Sequence, residues 1–257
     1  MSEAQPASGA GKPPLAIAGH YSGIAFPAPP PDRPYLYINM VTSVDGKATV
    51  EGSERGLGSA DDKRMMQELR AHADAVMNGA ATLRVSGSSP LVRDPALQAQ
   101  RRAHGLAPQP LGVIVSRLGR LPLDAPFFTS RAFEAVVVVT EAASADAIAA
   151  LRATGRHVAI VPDTPDNGGA IVRLLARDFG VRHLLCEGGP TLNAALFHAG
   201  VVDELFLTLA PRIVGGVESL TAVEGAPFSR AAMPRLILEQ CLHDTTTAEL
   251  YLRYTVM

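Results

Sequence analysis

Chemistry in this chain concentrates where apolar runs end in turns. Glu187-Gly188-Gly189-Pro190-Thr191-Leu192 stands between a strand-like run and a helical pattern. Two glycines let a ligand approach the backbone closely, and the start of the following helix offers free amides to an anion. Pro190 suits that start, where its missing donor costs nothing. The segment is not the dinucleotide fingerprint G-x-G-x-x-G, and it reads equally as a tight turn in which the Glu187 charge supports a helix start. Ser43-Val44-Asp45-Gly46-Lys47 closes an earlier run with an Asp-Gly turn. Gly79-Ala80-Ala81-Thr82, followed by Arg84 and by Pro90-Leu91-Val92-Arg93, could bring a hydroxyl and guanidinium groups to a phosphate. Gly215-Gly216 follows Ala210-Pro211-Arg212-Ile213-Val214 as another turn. No Ser/His/Asp order or nucleophile elbow is visible.

The elements that must hold these turns alternate. Strand patterns cover Tyr35–Ser43, Ala75–Asn78, Leu111–Val115, Ala135–Thr140, His157–Val161, Val181–Cys186 and Glu204–Ala210. Helical patterns cover Ser59–His72, Ser144–Thr154, Asn167–Phe179 and Thr191–Ala199, with Ser59-Ala60-Asp61-Asp62 as a capped, acidic start. Leu236–Leu242 and Ala248–Val256 read as a closing hairpin. Such alternation predicts a single α/β domain with helices on both faces of a mixed sheet. In such sheets ligands collect outside the carboxyl ends of the strands, where all these turns fall.

Composition narrows the class. The 257 residues carry 23 basic and 25 acidic side chains, so no basic footprint for nucleic acid exists. No apolar run approaches the roughly 20 residues that span a bilayer, and the first residues lack a secretory pattern, so the cytoplasm is expected. Cys186 and Cys241 read as buried, unpaired thiols, and no metal-ligand spacing occurs. Eight of the 20 prolines lie in residues 1–34, marking an appended arm that cannot join a sheet interior. Met1–Lys12 is expected to be disordered and Leu15–Phe26 to drape over the body, which begins at Tyr35.

Taken in order, Asn39-Met40-Val41-Thr42-Ser43-Val44-Asp45-Gly46, Leu69-Arg70-Ala71, Gly79–Thr82, Glu187–Leu192, Asp203-Glu204-Leu205, Ala210-Pro211 and Gly215-Gly216 resemble a known family. It is the reductase domain of bacterial riboflavin biosynthesis, found as the C-terminal half of the bifunctional deaminase-reductase and as stand-alone pyrimidine reductases. The likeness runs from about Tyr35 to Tyr254, and no zinc-deaminase motif is present. It implies a dihydrofolate-reductase-like fold, often dimeric, and NADPH-dependent reduction of a ribosylaminopyrimidine 5′-phosphate to its ribityl form. By resemblance, Thr42, Thr82, Ser116, Gly188, Gly189, Pro190, Thr191, Leu192, Gly215 and Gly216 contact the cofactor. Asn39, Arg70, Arg93 and Glu187 fall on substrate positions, the arginines meeting the phosphate. Asp45 and Glu187 are the catalytic candidates. Asp45 would act as proton donor or electrostatic stabiliser, and acid work near neutrality requires burial to raise its pKa.

Two departures qualify the likeness. Asn39 stands where many bifunctional members carry Lys, and Ser86-Gly87-Ser88-Ser89-Pro90 replaces an acid-bearing loop. Two alternatives follow: a dihydrofolate reductase of the same fold, and a non-catalytic NADPH-binding protein. A homodimer is expected, with the sheet edge after Glu204–Ala210 available for pairing.

Overall fold

The computed structural model describes residues 19–165 and 167–257. Nine strands form one sheet in the order β5-β4-β3-β2-β6-β1-β7-β9-β8. These are β1 Tyr35–Ser43, β2 Ala75–Gly79, β3 Leu111–Ser116, β4 Ala135–Thr140, β5 His157–Val161, β6 His183–Cys186, β7 Glu204–Ala210, β8 Leu236–His243 and β9 Leu250–Val256. The pairings from β5 across to β7 are parallel, whereas β9 runs antiparallel to both β7 and β8. This is the expected mixed sheet with a C-terminal antiparallel hairpin.

Side-chain alternation on β1 builds both halves of the core. Leu36 and Ile38 join the cluster under the helices α6 Asn167–Phe179 and α7 Pro190–His198. Tyr35 and Tyr37 face the other way, toward Met65 and Leu69 of α1 Ala60–His72. Every residue of β4, Ala-Val-Val-Val-Val-Thr, is buried, because helices cover both of its faces. On the α1 face lie also α2 Ala80–Ser86, α4 Pro126–Thr129 and α5 Ala145–Ala153, through Leu83, Phe127, Phe128 and Leu151. Among the described residues no helix is long and apolar enough to cross a membrane.

The start of α1 matches its sequence signal. Ser59 Oγ accepts from the amides of Asp61 and Asp62 at 3.1 and 3.2 Å. The cap is itself held from afar, since Ser59 Oγ donates to Glu249 Oε2 at 2.6 Å. Residues before β1 lie on the same face: Tyr21 is buried, and Phe26 stacks on Tyr37 with centroids 4.3 Å apart. Glu68 of α1 accepts the amides of Gly19, Tyr21 and Ser22, so one carboxylate ties this segment to the helix. The reading of Met1–Lys12 lies outside the described residues.

The structure corrects several details. The helices α3 Pro95–Ala103 and α4 were not anticipated, although Asp94 caps α3 through Ala96 N and Pro95 opens it. β7 is no edge, because β9 covers it; the sheet ends at β5 and β8. Cys241 is exposed rather than buried, since it sits on the outermost strand β8, whereas Cys186 is buried in central β6. β9 starts at Leu250, after Ala248 takes a left-handed φ of 58° in the connecting turn.

Candidate active site

The carboxyl ends of β1, β2 and β6 are neighbours in the sheet, so the loops leaving them surround one space. A cavity of about 640 Å³ lies there. Its wall includes Asn39–Val41 from β1, Asn78 from β2, Thr82 from α2, Glu187, Gly189 and Pro190 after β6, Arg70 of α1, and Arg93. Chain reversal places β1 between β6 and β7 while the chain continues to β2 on the far side of β6, the kind of switch point where α/β sheets bind ligands.

The firmest contact joins two of the expected substrate residues to each other. Arg70 Nε and Nη2 donate to Glu187 Oε1 and Oε2 at 2.6 and 2.7 Å, with both side chains about nine-tenths buried. Arg70 Nη1 donates to Leu91 O at 3.0 Å. The guanidinium fork is therefore engaged by protein, and the arginine fixes both Glu187 and the loop that carries Arg93. Gln67 completes that hold, accepting from Arg93 N at 2.8 Å and donating to Leu91 O at 3.2 Å. The Arg93 side chain itself is exposed, and it makes no ion pair among the described residues.

The glycine turn is packed closely. Gly79 N donates to Gly188 O at 2.7 Å, and a Cβ on Gly189 would lie 3.1 Å from Thr82 Oγ1. Gly188 takes φ 84°, and a Cβ there would come within 3.0 Å of Met40 Sδ. Gly189 caps α7 without a side-chain bond. Pro190 has no N–H and Leu192 N donates to Gly189 O at 2.9 Å, so the amides of Gly189 and Thr191 are the ones left without a partner among the described residues. A glycine cradle and a hydroxyl at a helix start fit the pyrophosphate of a dinucleotide.

Other expected site residues fall outside this wall. Asp45 is fully exposed; its carboxylate accepts from Ser43 Oγ at 2.6 Å and from the amides of Val214 and Gly215 at 3.1 and 2.7 Å. The Ser43 hydroxyl first, then the two amides, hold its pKa down to about 2. It is ionised at neutrality, so the proton-donor role fails its own condition, and Gly215 serves to anchor that carboxylate. Ser116 Oγ accepts from Gly119 N at 3.1 Å within its own turn. Thr42 and Leu192 are buried in strand and helix packing; Thr191 and Gly216 also lie away from the cavity wall. The Asp203-Glu204 pair is structural: Asp203 binds Arg33 at 2.6 Å, and Glu204 binds Arg253 at 2.8 Å.

Asp62 and Ser88 are among the wall residues to which the sequence assigns no site role. Asp62, named there only in a helix start, lines the cavity, and burial pushes its carboxyl up to about 6 against the lowering effect of a Thr208 hydrogen bond. Ser88 also lines the cavity. Neither shows a sequence signal, because Asp62 meets Thr208 only through the packing of α1 on β7.

The RibD C-terminal domain family matches residues 34–249. The chain belongs to this family. It is 33% identical over 227 residues to the 2,5-diamino-6-ribosylamino-4(3H)-pyrimidinone 5′-phosphate reductase of Methanothermobacter thermautotrophicus, covering 87% of this chain and 99% of that one. The protein of the same description from Archaeoglobus fulgidus is 31% identical over 197 residues, covering 76% and 89%. A solved pyrimidine reductase-like protein from Corynebacterium diphtheriae superposes with a TM-score of 0.78 at 25% identity, covering 88% of this chain and 93% of that one. The cavity built by the β1, β2 and β6 loops is thus the candidate site of a RibD-type reductase fold.

Proposed function

We propose that this chain is an NADPH-dependent reductase of riboflavin biosynthesis, converting the ribosyl group of a 5-amino-6-ribosylaminopyrimidine 5′-phosphate to ribityl. The diamino pyrimidinone named for its relatives is the favoured form. One observation carries the reading: Asn39, Arg70, Thr82, Arg93, Glu187 and Gly189, distant in sequence, share one cavity wall. When bound, the nicotinamide cofactor would supply the hydride to the sugar C1′ of the opened imine, and the proton taken up by the imine nitrogen would come from solvent. Gly189 with the α7 start and Thr82 would hold its phosphates by backbone approach and hydrogen bonding.

The chain's remaining groups orient the substrate. Arg93, whose side chain makes no hydrogen bond or ion pair among the described residues, suits the 5′-phosphate as a charge-assisted donor. Glu187, fixed and charge-balanced by Arg70, keeps acceptor capacity for sugar hydroxyls or the amine. Asn39 can hydrogen-bond the substrate but cannot relay a proton. Residues 35–257 form the catalytic body in this reading, residues 1–34 its arm, and the protein works in the cytoplasm, where NADPH and phosphorylated intermediates are available. We infer a homodimer as well, supported by the exposed Leu236, Ile237 and Leu238 on the edge strand β8.

The test is a substrate panel followed by NADPH absorbance. Turnover of the diamino pyrimidinone phosphate, with none on dihydrofolate, is the expected outcome. Turnover of dihydrofolate alone overturns the reading, and tight NADPH binding without turnover on either marks a non-catalytic binder.

A further inference from the structure

Three serines lie between Thr82 and Arg93, Ser86 at the end of α2 and Ser88 and Ser89 in the loop after it, and they differ in what they do. Ser86 Oγ donates to Thr82 O at 2.8 Å, and Ser89 Oγ accepts from Leu91 N at 3.5 Å. Ser88 is the most enclosed of them, 6% exposed, and its Oγ has no hydrogen-bond partner. Among the described residues it is the single buried side-chain polar atom left so. Buried polar groups in native proteins are almost always paired, and an unpaired hydroxyl costs the free energy of its lost hydration. Ser88 also takes a left-handed φ of 28°, an uncommon conformation for a residue with a side chain. Two unfavourable features coincide on one residue of the cavity wall, and strained backbone of this kind gathers at ligand clamps.

The wall around it indicates the partner's chemistry. Arg55, Lys63, Arg70 and Arg93 face the cavity with three carboxylates, Glu54, Asp62 and Glu187. Glu187 is neutralised by Arg70, and the remaining Arg55, Lys63 and Arg93 outnumber the two remaining carboxylates, Glu54 and Asp62. Arg55 and Arg93 make no ion pair among the described residues. A group entering there meets excess positive charge and a hydroxyl with a hydrogen to donate. An acceptor-only anion satisfies both.

We propose that the Ser88 hydroxyl donates a hydrogen bond to a phosphoryl oxygen of the ligand in this cavity, in concert with Arg93, and so helps select phosphorylated ligands. The proposal rests on the reductase reading for its two possible phosphate sources, the substrate 5′-phosphate and the cofactor. It concerns a residue of the altered loop to which the family resemblance gives no role.

The test uses the full chain with Ser88→Ala and Ser88→Gly, the second variant also relieving the positive φ. Calorimetric titrations employ ribose 5-phosphate, ribose, NADPH and NADH. Loss of one hydrogen bond to a charged acceptor weakens binding by about tenfold or more. A tenfold loss for ribose 5-phosphate with NADPH unchanged assigns the contact to the substrate phosphate. A loss for NADPH that exceeds the loss for NADH assigns it to the cofactor's extra phosphate, and equal losses for the two assign it to the pyrophosphate. Thermal unfolding of the unliganded variants supplies the control: with no protein partner to lose, Tm holds or rises. Unchanged affinity for every probe overturns the proposal, as does a wild type that binds none of them. A fall in Tm in both variants with unchanged affinities reassigns the hydroxyl to the fold. These titrations do not depend on turnover, so a wild type that binds with Ser88-dependent affinity yet reduces no pyrimidine phosphate rejects the reductase reading and leaves this contact standing.

Discussion

At the scale of single residues the site is governed by how charges are balanced. Arg70 and Glu187 meet as a fork-to-carboxylate pair with little water around them. Breaking one side of such a pair leaves a buried charge alone, at about 3–5 kcal/mol. Glu187→Gln should therefore lower Tm as well as activity, and adding Arg70→Met should recover part of the stability but none of the activity; a double-mutant cycle of unfolding free energies measures this. Asp62 gives the pH prediction. Its folded pKa of about 6 lies above its ordinary value of 3.8, so the native state holds the proton more tightly than the unfolded chain. Stability should fall as pH rises from about 4 to about 6. Asp62→Asn removes that slope and stabilises the protein above pH 6 by up to about 3 kcal/mol, with no gain at pH 3.5. Denaturant midpoints at the two pH values check it.

At the scale of elements, precision depends on close approach. Helices α6 and α7 touch at Gly168, where an added Cβ would stand 2.5 Å from Ala195 O. The obstacle is backbone, so it cannot rotate away. Gly168→Ala should push α7 outward and cost about 1–3 kcal/mol. Because α7 begins at the Gly189 turn, the same change should weaken NADPH binding more than ribose 5-phosphate binding, which calorimetry on the folded variant reads. Helix α1 is the second such element, since it carries Glu68, which holds the segment before β1, and Arg70, which holds Glu187. These two positions lie half a turn apart, so the strap on one face and the ion pair on the other locate the helix between them.

At the scale of the whole molecule, the sheet joins a parallel body to an antiparallel ending. β9 covers β7 and leaves β8 as the edge, with Leu236, Ile237 and Leu238 each more than two-fifths exposed. Exposed apolar edges favour association. Ile237→Lys should shift the protein from dimer to monomer in sedimentation while leaving the unfolding transition of the body in place. A monomeric wild type would sink the dimer assignment.

Much of this architecture was legible in the chain, because period and punctuation are local. Tyr35–Ser43, Ala135–Thr140, His157–Val161 and Asn167–Phe179 appear with the bounds read from their residues, and the turns with chemical promise do fall at strand ends. Asp94-Pro95 likewise is a local helix-start signal for α3. What the sequence could not decide is which turns share a space. Strand order brings the ends of β1, β2 and β6 together and leaves Asp45 in the solvent with Gly215, so one motif residue lines the cavity while its neighbour anchors a loop. Arg70 and Glu187 stand 117 positions apart, and no spacing rule pairs them. Local sequence determined the elements and their ends, since those depend on side-chain period and backbone freedom. Tertiary structure alone decided protonation, pairing and exposure, because each is set by the distance to groups that only the folded sheet brings near.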